Sequence, residues 1–357
     1  MSDRLGPSKT LSAPPSDPAP LIDLYRGSFA TELLTAAVAH FDVFGRLGKK
    51  AVDFAEFRQT FGLGERPAVV LLTALKSFRL LQETSGKIET TEMARRFLTS
   101  NSPHDLGGYI GLSRDHPAVL AMVETLRKNR PAGAEDKEKG AAYIFRDGIE
   151  SAMEHEHSAR SLTMALAGRA LNVAPVLAER VPLDDAKVLL DVAGGSGIYA
   201  IAYLQRFPKL RAVVWDRPEV LKVARELSEF HGVADRLECL SGDMFTDPFP
   251  KDADVHLWSN VFHDWDVAEC RILLKRSAEA LPKNGRAIIH DVFLNDALDG
   301  PLSIALYSAA LFTLTEGRAY SRAEYEGWAS EVGLTSVAFE PTLIHCAALT
   351  LRPREEI

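Results

Sequence analysis

From Lys187 onward, apolar residues fall in short runs that alternate with stretches of helical spacing. The runs are Val188–Val192, Arg211–Trp215, Leu237–Ser241, Val255–Trp258 and Arg286–Val292, with two more near Val337 and over Cys346–Leu351. A run that is apolar on both faces predicts a buried parallel strand, and the amphipathic stretches between predict crossover helices. The order predicts an α/β fold whose doubly wound sheet ends in an antiparallel hairpin.

The front of the chain has a different rhythm. Residues 1 to 18 are proline-rich and predict a disordered arm. From Leu21 the spacing turns helical: Phe29, Leu33, Leu34, Ala37 and Val38 share one face, and Phe54, Phe57 and Phe61 mark a second helix. Arg66–Leu81 is a third, with Val69, Val70, Leu72, Leu75 and Phe78 in its stripe. Thr84–Thr90 predicts a hairpin wing, and Glu92–Leu98 a short helix. Three helices and a wing predict a winged-helix unit over residues 19–104. Its acids and bases are interspersed, which favours dimerisation or a substrate lid over DNA binding. Residues 105–182 predict a helical linker and pocket region, broken by a charged stretch at Gly133–Gly140. There Met153, Met164 and Leu171 suit core or pocket wall, while His155 and His157, two apart, face different sides of a helix and make no metal pair. Residues 183–357 carry the sheet.

Strand Val188–Val192 holds one acid, Asp191, and runs into Gly194, Gly195 and Gly197 before a helical stretch from Ile198. Strand, glycine turn and helix bind nucleotide-like ligands, because glycine lets the main chain approach and the helix start presents unpaired N–H groups. Gly195–Ala200 matches the dinucleotide pattern G-x-G-x-x-A, whereas Asp191 ahead of the glycines suits the ammonium group of S-adenosylmethionine. Asp216, at the end of the next run, suits a ribose diol in either cofactor. Gly242-Asp243-Met244-Phe245 follows the third run and places an acid, able to bond an adenine amine, beside two apolar side chains that clamp its faces. The fourth run enters Ser259-Asn-Val-Phe-His263-Asp264-Trp265, where a histidine among aromatics at a strand end is a candidate general base.

Composition narrows the class. The 357 residues are 46% hydrophobic and 25% charged, with a formal net charge of −8, which argues against nucleic acid as a partner. Cys239, Cys270 and Cys346 are dispersed without a CxxC, which predicts reduced thiols and no metal site. Uninterrupted apolar runs stay short of the ~18 residues of a membrane span, and the start lacks a signal-peptide core, so a cytoplasmic protein is expected.

These residues together resemble one family. Asp191-Val-Ala-Gly-Gly-Ser-Gly197, Asp216-Arg-Pro-Glu219, Gly242-Asp-Met-Phe245, His263-Asp-Trp265 with Cys270, and Thr315-Glu-Gly-Arg318 are similar to motifs of the large, metal-independent O-methyltransferases. That family includes caffeic acid, hydroxyindole and bacterial polyketide-tailoring enzymes. The resemblance runs from Leu21 to Leu351 and implies a Rossmann-like methyltransferase sheet with an N-terminal winged-helix dimerisation domain, hence a homodimer. It implies S-adenosylmethionine on Gly194, Gly195, Asp216, Asp243 and Met244, with Ser259 near the cofactor's carboxylate or base and Phe145 as an aromatic contact. It makes His263 the catalytic base, with Asp291 in place of the first of two acids that orient it; the second falls at Ala319. Ala193 stands at the motif's first glycine, an exchange that changes little at negative φ. Met164, Phe262, Ala310 and Leu314 are the expected pocket walls for a small aromatic or polyketide hydroxyl. Two alternatives stay open: an S-adenosylmethionine-binding relative whose eroded acids serve decarboxylation, hydroxylation or cofactor sensing, and a nicotinamide-dependent dehydrogenase.

Overall fold

The computed structural model describes residues 9–132, 144 and 156–354. The described residues form ten strands: β1 (Leu81–Thr84), β2 (Lys87–Thr90), β3 (Val188–Val192), β4 (Arg211–Asp216), β5 (Leu237–Ser241), β6 (Val255–Ser259), β7 (Arg286–Leu294), β8 (Tyr320–Ser321), β9 (Leu334–Pro341) and β10 (Cys346–Pro353). The chain divides into two compact units, one of residues 21–140 with 294–321, the other of residues 1–20, 141–293 and 322–357.

The first unit is helical with a single hairpin, β1–β2, registered Leu81 against Thr90. Asp53 opens the helix Phe54–Phe61 by accepting from the Glu56 N–H at 2.9 Å, and Thr91 caps Glu92–Phe97 through the Ala94 N–H. A side-chain acceptor at a helix start satisfies an N–H that has no partner within the helix. The apolar stripes meet in one core in which Phe44, Phe57, Leu71 and Leu75 pack with Ala309 and Phe312 from the helix Leu302–Leu314. That helix is apolar around its whole circumference, as a helix buried on most sides must be. Buried Arg66 fastens the following loop, its Nη1 donating to the carbonyls of Thr315 at 2.7 Å and Gly317 at 3.1 Å.

The second unit is a mixed sheet in the order β5-β4-β3-β6-β7-β10-β9. The pairs from β5 to β7 are parallel, while β10 runs antiparallel to both β7 and β9. Asp191 lies opposite Val214 on one side and Leu257 on the other. Chain order reverses between β3 and β6, so the crevice outside their carboxyl ends is where an open α/β sheet accepts a ligand. At the opposite end Asp254 Oδ2 takes the Lys187 and Val188 N–H groups at 2.6 and 2.9 Å, fixing where β3 begins beside β6. The helix Glu156–Arg180 is long and apolar enough to cross a bilayer by length and composition. Here it packs on the helices Ile198–Arg206 and Pro218–Phe230.

Strand positions follow the sequence pattern, with β4 running on to Asp216 and β7 to Leu294. Other expectations need correction. Residues 9–18, read as part of a disordered arm, are tied down: the Lys9 carbonyl bonds His231 Nδ1 at 2.8 Å and accepts from Gln205 Nε2 at 2.7 Å, and Asp17 Oδ1 accepts the Ile344 N–H at 3.0 Å. Proline lacks an N–H, but the carbonyls and side chains around it still find partners. The units also divide along other lines than boundaries at 104 and 182, because residues 294–321 return to the first unit's core. The stretch Gly133–Gly140, and with it Phe145, Met153 and His155, lies outside the described residues.

Candidate active site

The glycine turn is built on close packing against Asp191. A Cβ at Gly194 would sit 2.6 Å from the Asp191 Cγ, so only glycine leaves that carboxylate its place. Gly195 and Gly197 take φ of +60° and +71°. Ala193 takes φ +51°, contrary to the negative value at which alanine would be harmless, and its N–H donates to the Trp215 carbonyl at 2.8 Å. An alanine held in the left-handed region costs about 1–2 kcal/mol, because its Cβ crowds the following carbonyl.

Asp191 is fully buried, and neither carboxylate oxygen has a hydrogen-bond partner among the described residues. Burial pushes its pKa up to about 7, against the nearby Ala200 N–H, and the Asp216 charge adds to the rise. A buried carboxylate with open acceptors beside a glycine turn fits a cationic group, since an unmet buried acceptor is costly until a donor arrives. The ammonium of S-adenosylmethionine is such a group. Asp216 is already engaged, Oδ2 accepting the Gly195 N–H at 2.8 Å and Oδ1 the Arg217 N–H at 2.7 Å. Burial raises its pKa against those two donors. Each carboxylate oxygen has a second lone pair, so capacity remains for a diol.

Asp243 is exposed, and its Oδ1 accepts the Phe245 N–H at 2.7 Å, an Asx turn that orients the carboxylate beside half-buried Met244. Ahead of it, a Cβ on Gly242 would lie 2.2 Å from the Trp215 indole nitrogen. Ser259, at the end of β6, belongs to a polar network that the sequence did not reveal. Its Oγ bonds His290 Nδ1 at 2.8 Å and accepts from Asn260 Nδ2 at 3.0 Å, and His290 Nε2 reaches Thr342 Oγ1 at 3.0 Å. Burial, reinforced by the Arg169 charge, pushes the His290 pKa down to about 3, so this ring is neutral. Arg169, from the helix Glu156–Arg180, donates to Asn260 Oδ1 at 2.7 Å.

His263 sits in a 3-10 turn (Phe262–Asp264) directly after β6, and Asp291 comes from the neighbouring β7. His263 Nδ1 lies 2.6 Å from Asp291 Oδ1 in a buried pair. Facing a carboxylate, Nδ1 carries the proton, which leaves Nε2 with the lone pair. Asp291 Oδ1 also accepts the Val292 N–H at 2.8 Å, which keeps the carboxylate still. On the other side, Asp264 Oδ1 is 3.6 Å from Nε2. Burial opposes charge on His263, but Asp291 and then Asp264 outweigh it and raise its pKa. Burial pushes Asp264 up to about 6, against the pull of His263. Cys270 braces the turn from below, its thiol donating to the carbonyls of Phe262 at 3.2 Å and Trp265 at 3.3 Å.

The four expected pocket walls are divided between the two units. Met164 is half-buried on the helix Glu156–Arg180. Phe262 is not a wall but core: it is fully buried, with ring centroids 5.0 Å from Trp258 and 5.8 Å from Tyr325. In the tight turn its side chain goes inward while its neighbour His263 faces the carboxylates. Ala310 and Leu314 lie on the helix Leu302–Leu314 of the other unit, the first half-buried and the second exposed. Ala319 is buried there, its N–H donating to Ser308 Oγ at 3.1 Å. Sequence reasoning missed Asp264 as a partner of the histidine, and Arg169, Asn260 and His290 as its surroundings. Only Asp264, one residue from His263, carried a signal.

Comparison with known proteins shows the family. Residues 130–335 match the model of the O-methyltransferase domain. The 3-hydroxy-5-methyl-1-naphthoate 3-O-methyltransferase of Streptomyces sahachiroi is 32% identical over 325 residues, covering 90% of each chain. A crystal structure of an O-methyltransferase family 2 protein from Planctomyces limnophilus in complex with apigenin shares 45% identity at a TM-score of 0.86, covering 96% of this chain and 98% of that one. Human N-acetylserotonin methyltransferase in complex with S-adenosylmethionine shares the fold at a TM-score of 0.60 and 23% identity, over 96% of this chain and the whole of the other. The domain match spans more than half of the sequence and the naphthoate enzyme aligns along nearly all of it, so the chain belongs to the O-methyltransferase family and is an S-adenosylmethionine-dependent O-methyltransferase.

Proposed function

We propose that this enzyme methylates a phenolic hydroxyl on a planar aromatic or polyketide-like molecule, with His263 as general base and Asp291 holding it. The observation that carries the reading is the buried 2.6 Å bond between His263 Nδ1 and Asp291 Oδ1, which presents Nε2 as an acceptor at the carboxyl end of β6. Asp191 would hold the cofactor's ammonium, Gly194 and Gly195 its main-chain approach, Asp216 its ribose, and Asp243 with Met244 its adenine. Ser259 and Phe145 would complete the set. Bound there, S-adenosylmethionine supplies an electrophilic methyl group. The chain's own task is to align an acceptor oxygen in line with that carbon and remove its proton. A phenol has a pKa near 10, so transfer of its proton to Nε2 as attack begins is worth roughly 10²–10⁴-fold. The imidazolium that results is stabilised by Asp291 on one nitrogen and Asp264 near the other, so Asp264 compensates for the absence of an acid at residue 319.

The naphthoate substrate of one relative and the apigenin bound by another are both flat and phenolic. They are therefore the probe acceptors of choice. With S-adenosylmethionine and either probe, methylated product is expected by mass spectrometry, and His263→Ala should slow its formation roughly 10²–10⁴-fold. A variant that keeps near wild-type turnover would remove His263 as base.

The N-terminal helices with the β1–β2 hairpin support a winged-helix dimerisation role. Leu24 and Tyr25 on the first helix, and Leu112 further on, are 80%, 84% and 79% exposed, apolar surface that a second copy would cover. Light scattering should return twice the chain mass, and Leu24→Glu with Tyr25→Glu should return the single mass. The acidic balance and dispersed cysteines fit a cytoplasmic setting.

A further inference from the structure

We propose that Arg169 is a positioning residue for His263: through Asn260 it tethers the segment that carries the base, and it holds a cation within electrostatic reach of the imidazole. The proposal rests on the reading of His263 as the base and adds what holds and tunes it.

The tether is geometric. Arg169 Nη1 donates to Asn260 Oδ1 at 2.7 Å, and Nη2 reaches the Cys346 sulfur at 3.0 Å, so both ends of the fork are anchored. Asn260 is a junction. It takes φ +57° between β6 and the turn of His263, and its N–H donates to the His290 carbonyl at 2.9 Å. Its amide nitrogen donates to Ser259 Oγ at 3.0 Å and Tyr199 Oη at 3.3 Å. Asparagine tolerates the left-handed region better than most residues, and here each polar atom of its side chain is used as well. One guanidinium thus fixes the residue that links the helix after the glycine turn, strand β7 beside Asp291, and the entry to His263.

The charge argument concerns the same groups. His263 faces Asp291 from β7 and Asp264 from its own turn, at 2.6 and 3.6 Å. Among the described residues, the network also includes His290, neutral with a pKa of about 3, Tyr199, which burial pushes up to about 12, and the Cys346 thiol. Two carboxylates around one imidazole favour imidazolium, and a ring already protonated cannot accept a phenol proton. Arg169 acts in the opposite sense, lowering the proton affinity of His263, His290 and Tyr199 alike. It offsets part of the carboxylates' pull on the proton, which favours the lone pair on Nε2.

The test is a titration that needs neither acceptor nor turnover. Nuclear magnetic resonance of protein labelled with ¹⁵N-histidine follows the His263 midpoint, assigned by the signal lost in His263→Gln. In Arg169→Gln the midpoint should rise by roughly one pH unit, and in Arg169→Lys, which retains the charge, by much less. Asn260→Gly removes the tether at a position whose φ glycine accepts, and should move the midpoint in the same direction. In the double variant Arg169→Gln/Asn260→Gly the midpoint should match that of Arg169→Gln alone. An unchanged or lowered midpoint in Arg169→Gln overturns the proposal. If that variant does not fold, an unchanged midpoint in Asn260→Gly overturns it instead. An active His263→Ala enzyme would refute the base and leave this titration standing; an unmoved titration would refute the tether and leave the base.

Discussion

Replacing Asp191 by asparagine takes a charge out of the sheet interior and an anchor out of the cofactor site, and the two consequences have opposite signs. Asp191 is fully buried with both oxygens unpartnered among the described residues, and its pKa stands at about 7 against an ordinary 3.8. At about 1.4 kcal/mol per pH unit, that difference is worth about 4 kcal/mol once the group is fully ionised. A carboxylate raised in the folded state penalises folding wherever the unfolded chain is ionised and the folded one resists it. The penalty is absent below pH 3.8, grows up to about 7 and is complete above it. Asparagine removes it but leaves an amide without partners, at about 1–3 kcal/mol. The cofactor-free variant should therefore be more stable than wild type at pH 8 by about 1–3 kcal/mol, and no more stable at pH 4. Urea unfolding at the two pH values measures this. In the same preparation, S-adenosylhomocysteine should bind roughly 10–100-fold more weakly by calorimetry, the worth of one charge-assisted bond to the ammonium. Equal stability at pH 8, or undiminished affinity, would refute the idea that this carboxylate is kept bare for a cation.

Two other outcomes follow from residues at the ends and middle of the same sheet. Ala193→Gly should raise Tm by about 2 °C and leave S-adenosylhomocysteine affinity unchanged, since relief of the left-handed strain outweighs the greater freedom of glycine in the unfolded chain; a lower Tm would contradict it. His256 is fully buried against Ser277 Oγ at 2.9 Å, and burial lowers its pKa from 6.5 to about 4. A histidine lowered in the folded state contributes fully above pH 6.5, and its contribution is lost as pH falls toward 4, about 3 kcal/mol in all. His256→Gln should flatten the fall in urea midpoint between pH 7 and 4.5, and a slope unchanged by the substitution would place the acid sensitivity elsewhere.

The sheet was readable in the sequence because parallel strands buried on both faces leave unbroken apolar runs such as Val188–Val192, and because Gly194, Gly195 and Gly197 mark the turn after them. The family resemblance likewise implied Asp291 as the acid beside His263, and the structure pairs the two, one on β7 and the other in the turn after β6. What escaped depends on contacts distant in sequence or on backbone angles. Arg169 and Asn260 are 91 positions apart, and nothing local to either tells of the other. The positive φ at Ala193 goes with a bond to the distant Trp215 carbonyl and runs against alanine's own preference. Phe262 has the composition of a pocket wall, and only the direction of the turn sends it into the core.

The core that joins Phe44 and Leu75 to Ala309 and Phe312 has a bearing on how the molecule is made. A ribosome delivers the first 140 residues long before the helix Leu302–Leu314, so the early unit waits, with part of its apolar interior uncovered, while the whole intervening sheet domain is synthesised. A chain stopped after residue 293 would own every strand of the glycine turn and the base, yet leave that interior open.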